Sequence, residues 1–336
     1  MNTTARFRAA LHFKPVDRLP VVEWAPWWDE TIERWYGEGL PRSLKTVAEI
    51  QDYFELDPLW QCWISPYKKE APEVPKHCPG FIENRQDYLD FKKKYLFPHP
   101  AFDYESLAGW PQKHQAGEIT IWLTLNGFYW FPREIFGVER QLYAFYDQPE
   151  LMNEINQDLL EFNLRALQEF NTICKADFMT IAEDMSYRSG PMLSENAFDQ
   201  VLLPAYRQLI PELKKAGMVA MMDTDGNVMP MMSWLEKAAF EGTLPLERMA
   251  GNDLQVIRQQ HPNSVLIGGF NKMVMNKGEE AMRAEFENLY PVMTQGGYIP
   301  GVDHQTPPQV SLQEYRLFLS LLREYCNRAG KEMQLK

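Results

Sequence analysis

Polar and apolar residues alternate at helical spacing over residues 3 to 13, and Lys14-Pro15-Val16-Asp17-Arg18 then breaks the pattern. The apolar run Leu19 to Trp24 that follows predicts a first strand. Ser43 to Leu56 reads as a helix and Pro58 to Ile64 as a second strand, followed to Gln115 by a stretch rich in Pro, Lys and aromatics. From Glu118 the rhythm is regular. Glu118 to Leu125 predicts a strand ending at Asn126-Gly127, helical segments run from about Glu139 to Cys174, and Asp177 to Ala182 is a strand ending in Glu183-Asp184. A short apolar run from Met218 then stops at Asp223-Thr-Asp225-Gly226-Asn227, with helical spacing resuming over Val228 to Phe240. Three more strands follow, Thr243 to Leu246 ending at Glu247, Ser264 to Phe270 ending at Asn271-Lys272, and Gly297 to Val302 ending at Asp303-His304. Each is followed by a helix, and Ser311 to Arg328 closes the chain.

Strands alternating with helices predict a parallel sheet, and eight of them predict a (β/α)8 TIM barrel of the α/β class. The expectation is a single domain over 1–336, with 1–115 a helical, aromatic-rich front portion elaborated over one barrel end and 116–336 the regular units. A doubly wound open sheet is the alternative, but no Gly-rich dinucleotide fingerprint follows any strand.

A length of 336 residues suits one barrel, and 45% hydrophobic residues supply a large core. The net charge of -12 repels nucleic acid and anionic membranes, so the expected partner is a small molecule. No segment reads as a signal peptide or a membrane span, and a cytoplasmic location is expected. Cys62, Cys78, Cys174 and Cys326 are widely spread, which argues for packing roles in a reducing compartment and against a structural zinc site.

Strand ends in a parallel barrel converge on one mouth, where such folds place their chemistry. Asp223, Asp225, Glu183 and His304 are the expected catalytic residues. Asp225 is equally readable as a helix cap, and His304, beside Asp303, as an acid/base group oriented by that carboxylate or as a buried histidine bonded to backbone. The expected substrate-binding residues are Trp24, Trp27, Trp28, Asn126, Tyr129, Arg133, Tyr187 and Lys272. Core packing is the bland reading of each tryptophan, and ion pairing that of Arg133, Arg188 and Lys272. No cofactor is expected. A divalent metal, if bound, would be held by Asp223, Asp225, Glu183 and His304, whose donors are mostly oxygen.

At these residues the chain resembles the uroporphyrinogen decarboxylase superfamily, which includes cobalamin-dependent methyltransferases. The resemblance lies in Glu183-Asp184-Met-Ser-Tyr187 with Gly190-Pro-Met-Leu-Ser194, in Asp223-Thr-Asp225-Gly-Asn227, in Gly268-Gly-Phe-Asn-Lys272, and in Gly296-Gly-Tyr-Ile-Pro-Gly-Val-Asp-His304 with Pro307-Pro308. Arg34-Trp35 with Glu38-Gly-Leu-Pro41 adds an amino-terminal match. The resemblance implies a uroporphyrinogen decarboxylase-like barrel and a homodimer. Two segments depart from it. Trp24-Ala-Pro-Trp-Trp-Asp-Glu stands where true uroporphyrinogen decarboxylases carry an arginine-rich propionate-binding segment, which implies a substrate other than uroporphyrinogen. Asp223-Thr-Asp225 stands where the zinc methyltransferases carry His-x-Cys, which removes the thiolate basis for zinc activation of a thiol. The expected activity is acid/base decarboxylation or a related lyase step on a small, partly anionic or aromatic substrate. The alternatives are methyl transfer with a corrinoid or folate partner, and a non-catalytic barrel that binds a cofactor or a corrinoid protein. A corrinoid enters only with these alternatives.

Overall fold

Among the described residues nine strands form, all short and most of them buried on both faces. They are β1 Leu59–Ile64, β2 Thr120–Asn126, β3 Phe178–Ala182, β4 Ser186–Tyr187, β5 Gly190–Pro191, β6 Val219–Asp223, β7 Gly242–Leu244, β8 Val265–Phe270 and β9 Tyr298–Val302. The computed structural model describes residues 1–74 and 80–335. His77 and Cys78 lie outside them. Seven strands pair in parallel in the order β1-β2-β3-β6-β7-β8-β9 and curl into the barrel, while β4 and β5 make a small antiparallel hairpin above it. Burial on both faces is why these segments read as continuous apolar runs. The register sets Asn126 opposite Ala182 and Ala182 opposite Asp223, so three strand ends reach one level.

The expected first strand, Leu19 to Trp24, is not laddered, which corrects the count of eight paired strands to seven. The segment still occupies the seam between β1 and β9. Val21 accepts from the Asp57 amide at 2.8 Å on one side, and the Trp24 indole N–H donates to the Val302 carbonyl at 2.8 Å on the other. Asp57 takes over the role of a ladder. Its carboxylate accepts the Val21 amide at 2.8 Å and both terminal nitrogens of Arg18 at 2.6 and 2.7 Å. Side-chain bonds of this kind hold a segment in place without the repeating backbone pairs that define a strand.

The helix Thr3–Leu11 closes the opposite, amino-terminal end of the barrel. Phe7 stacks on Phe178 at 5.4 Å, Thr4 donates to the Ile119 carbonyl at 2.7 Å, and Arg8 pairs with the buried Asp177. Outside the strands run the long helices Pro149–Asn171, Leu203–Lys215, Glu279–Met293 and Leu312–Met333, each with one buried face. Among the described residues no helix is long and apolar enough to cross a membrane.

Candidate active site at the strand ends

The mouth opposite Thr3–Leu11 holds a cavity of about 250 Å³. Its acidic side is Asp184, Asp223, Asp225 and His304, and its aromatic side is Trp24, Trp63, Trp122 and Trp130. All four expected catalytic residues contribute to the lining of this cavity, Asp223, Asp225 and His304 with partly exposed side chains. The fourth, Glu183, is fully buried beneath them. Its two oxygens accept the amides of Phe128, Tyr129 and Trp130 at 2.8, 2.7 and 3.1 Å, and the Tyr206 hydroxyl as well. A carboxylate at a helix start is favoured by the free amides and the helix dipole, and here it anchors Trp130–Phe136. Burial pushes Glu183 up to about 7 against these hydrogen bonds. Gly127 makes the arrangement feasible, because a Cβ there would stand 2.0 Å from the Glu183 carboxyl carbon.

The Asp223 carboxylate, unlike those of Glu183 and Asp184, accepts no hydrogen bond among the described residues. Burial, then the charges of Asp225 and Asp184, push it up to about 8, with His304 pulling the other way. A carboxylic acid in such a place keeps its proton at neutral pH and can deliver it. Asp184 is also raised, by burial first and then by Asp225, although Arg133 donates to its carboxylate at 3.1 Å and to its carbonyl at 3.0 Å.

His304 faces Asp225, Nε2 to Oδ2 at 3.5 Å, and this contact raises its pKa despite partial burial. The expected partner, Asp303, is turned away. Its carboxylate accepts the backbone amides of Lys272 at 3.0 Å and Arg248 at 2.9 Å, tying together the loops after β7 and β8. The loop, not chain adjacency, decides which carboxylate a histidine meets. Asp225 caps no helix either. Asn227 accepts the Met229 amide at 3.1 Å and Asn252 that of Val228 at 3.0 Å, leaving Asp225 to face the mouth.

The geometry groups a different set of donors from the one expected to hold a metal. The described residues that could share an ion are Asp225, Glu247 and His304, whose ligand atoms lie within 4.8 Å of one another. Glu183 is enclosed by its donors and Asp223 stands outside the group. Glu247 also accepts the Gly226 amide at 3.0 Å and lies 3.9 Å from the Lys272 ammonium. Gly226 allows this turn: its φ is +79°, and a Cβ there would stand 2.4 Å from the Tyr187 backbone.

The expected substrate contacts divide. Trp24 lines the mouth, and Arg133 and Tyr187 line a neighbouring rim cavity of about 410 Å³ with Arg188, Met192 and Met249. Trp27 is packed in the core against Trp35, Phe54 and Tyr315. Trp28 sits on the surface at the start of the helix Asp29–Gly37, and Tyr129 is buried against Phe145. These three do not reach the mouth. Asn126 works from behind it, accepting the Trp63 indole N–H at 2.9 Å and donating to Glu134 at 3.1 Å. Lys272 lies beside Glu247. Trp63, Trp122 and Trp130 were not singled out from the sequence. The available signal was period two: Gln61 and Trp63 in β1, like Trp122 and Thr124 in β2, alternate with residues packed outward. Glu134, half-buried and pushed up to about 7, carried no signal because its partners Asn126 and Tyr67 come from other elements.

The profile of the uroporphyrinogen decarboxylase (URO-D) family matches residues 135–325, and the chain belongs to that family. No curated protein sequence matches the chain. Among solved structures it is similar to a methyltransferase from Methanosarcina mazei, with a TM-score of 0.65 and 15% identity over 97% of this chain and 99% of that one. It is also similar to a protein provisionally described as a vitamin-B12 independent methionine synthase from Listeria monocytogenes, with a TM-score of 0.42 and 12% identity over 96% and 97% of the two chains. At these identities the likeness concerns the fold alone.

Proposed function

We propose that this protein is an enzyme of acid/base lyase chemistry, a protodecarboxylase acting on an electron-rich aromatic acid other than uroporphyrinogen. The observation that carries this reading is Asp223, an undonated carboxyl in the mouth, pushed up to about 8 by burial and by Asp225 and Asp184. The protonated Asp223 donates to the ring carbon that bears the carboxylate, and a ring π pair forms the new C–H bond. The ring is then cationic. Breaking the C–C bond to the carboxylate returns an electron pair to the ring and releases carbon dioxide. The carboxylates of Asp184 and Asp225 and the faces of Trp24, Trp63, Trp122 and Trp130 favour the positive ring over its neutral precursor. His304, whose pKa is raised by Asp225, is the group that returns a proton to Asp223. Arg188, which has no ion pair among the described residues, is the rim cation available to a substrate anion. A substrate with many carboxylates would be repelled by this mouth.

The test is a panel of aromatic carboxylic acids in heavy water, followed by carbon dioxide release and deuterium at the vacated carbon. Asp223→Asn is expected to lower turnover at least 100-fold while ligand binding persists. Turnover that survives this change intact would remove Asp223 from the chemistry. If no acid is turned over and the change alters only affinity, a non-catalytic binding barrel is the better account.

A second reading, methyl transfer with a corrinoid protein or a folate as partner, is favoured by the Asp225, Glu247 and His304 group. The buried Cys62, Cys174 and Cys326 do not belong to this group, so thiolate zinc chemistry does not fit it. Two carboxylates and one imidazole do fit a hard divalent ion, which would supply Lewis-acid activation when bound. Methylation of free cob(I)alamin by a methyl donor, with no carbon dioxide released, would favour this reading.

A further inference from the structure

The unladdered seam between Leu19–Trp24 and β1 opens into a cavity of about 430 Å³, larger than the mouth. Trp24, Trp60, Trp110 and Trp122 supply aromatic walls, and Glu23, Gln51 and Gln61 the polar ones. A cavity of this size accommodates a small ring compound. The wall's hydrogen-bonding groups are unevenly used, and the Trp60 and Trp110 indole N–H groups donate to no described residue. The indole N–H groups of Trp24 and Trp122 are spent on Val302 and Thr180 at 2.8 and 2.9 Å. Gln51 and Gln61 direct their amide nitrogens to the Glu23 carbonyl at 3.2 Å and to Thr124 at 2.9 Å. Neither glutamine oxygen has a donor among the described residues. Glu23 is almost wholly buried, with Oε2 accepting from the Tyr315 hydroxyl at 2.8 Å and Oε1 without a partner. At Glu23, Gln51 and Gln61 the wall therefore leaves acceptor capacity unspent among indole faces, the Glu23 carboxyl being one that burial keeps neutral until a cation binds beside it.

We propose that the seam cavity is a second ligand site, taking a planar organic cation of the amidinium or protonated amino-heterocycle class, which stacks on the indoles and donates N–H bonds to Glu23, Gln51 and Gln61. A buried acceptor without a donor is costly, and a ligand bringing several donors in one plane repays that cost. Indole faces attract cations as well as flat rings. An anion would find no cation lining the cavity among the described residues, Lys113 lying over the Trp60 ring at 4.6 Å but outside the lining, and a saturated ring would forgo stacking. The site adjoins the chemistry, because Trp24, Pro26, Gln61 and Trp122 are shared with the mouth cavity. An occupant would thus press on the aromatic side of the mouth without touching Asp223.

The experiment is titration of the full-length protein with benzamidinium, read by tryptophan fluorescence and by calorimetry, beside benzamide and benzoate as neutral and anionic isosteres. Benzamidinium is expected to bind saturably at one site, with benzoate not binding there. Glu23→Gln should weaken it at least tenfold, and Trp110→Ala, which leaves the Glu23–Tyr315 bond untouched, should weaken it by a similar factor. Asp223→Asn should leave its affinity unchanged. No saturable binding below millimolar concentrations would overturn the proposal. So would affinity that resists both seam variants and falls in Asp223→Asn, which would place the cation in the acidic mouth.

Discussion

Asp223 and Asp303 both stand where a barrel strand ends, yet their surroundings give them opposite work. Asp303 accepts two backbone amides and fastens two loops, whereas Asp223 accepts nothing and faces the cavity. Burial raises both, but only Asp223 is free to exchange its proton with a ligand. If the protonated form is the working acid, kcat should hold at lower pH and fall as pH rises through about 8, and Asp223→Asn should abolish that limb along with the rate. A pH–rate profile of both proteins checks this. Glu23 gives a parallel prediction for stability. Burial lifts it from an ordinary 4.5 to about 8, so between these values the unfolded chain ionises while the folded one does not. Stability contributed by the neutral carboxyl is complete below about 4.5 and is lost as pH rises through 8. Glu23→Gln should flatten that fall and raise Tm by about 2–4 °C at pH 8, measured by calorimetry across the range.

At the scale of elements, what the sequence pattern could and could not convey follows from the kind of bond involved. The buried runs β2, β3, β6, β8 and β9 declare themselves, because a strand covered on both faces has to be apolar throughout. Leu19 to Trp24 has the same composition and no ladder, since pairing depends on the register offered by β1 and β9 and not on the segment itself. Asp57 holds it instead. Asp57→Ala should release Arg18 and the Val21 amide together, destabilising the fold by about 3–5 kcal/mol and loosening the seam, which thermal unfolding and amide exchange at Val21 would register. The helix Trp130–Phe136 depends in the same way on a distant partner. Gly127→Ala would drive a methyl group into Glu183, deprive three amides and the Tyr206 hydroxyl of their acceptor, and is expected to lower Tm by at least about 5 °C. An unchanged Tm would show that Glu183 is not the anchor.

For the whole molecule, the unsettled charge of the mouth is its most consequential property. Elemental analysis of protein purified without chelators, beside Asp225→Asn and Glu247→Gln, should find a divalent metal lost in both variants if methyl transfer is the function. It should find none in any sample if proton transfer alone does the work. The sequence by itself determined the class of fold, the order of its strands and helices, and the positions where strands end in Asn126, Asp184, Asp223, Asp225 and His304, because burial imposes periodicity and strand ends must be polar. Trp24, which the sequence puts at the end of an apolar run, lines the mouth cavity. Only the tertiary structure decided that His304 meets Asp225 and not Asp303, that Glu247 and not Glu183 joins the cluster, and that Trp27 and Tyr129 are core while Trp63, Trp122 and Trp130 are wall. Each of those outcomes rests on contacts between residues far apart in the chain, and the direction in which a loop turns its side chains is set by the backbone amides waiting on neighbouring strands.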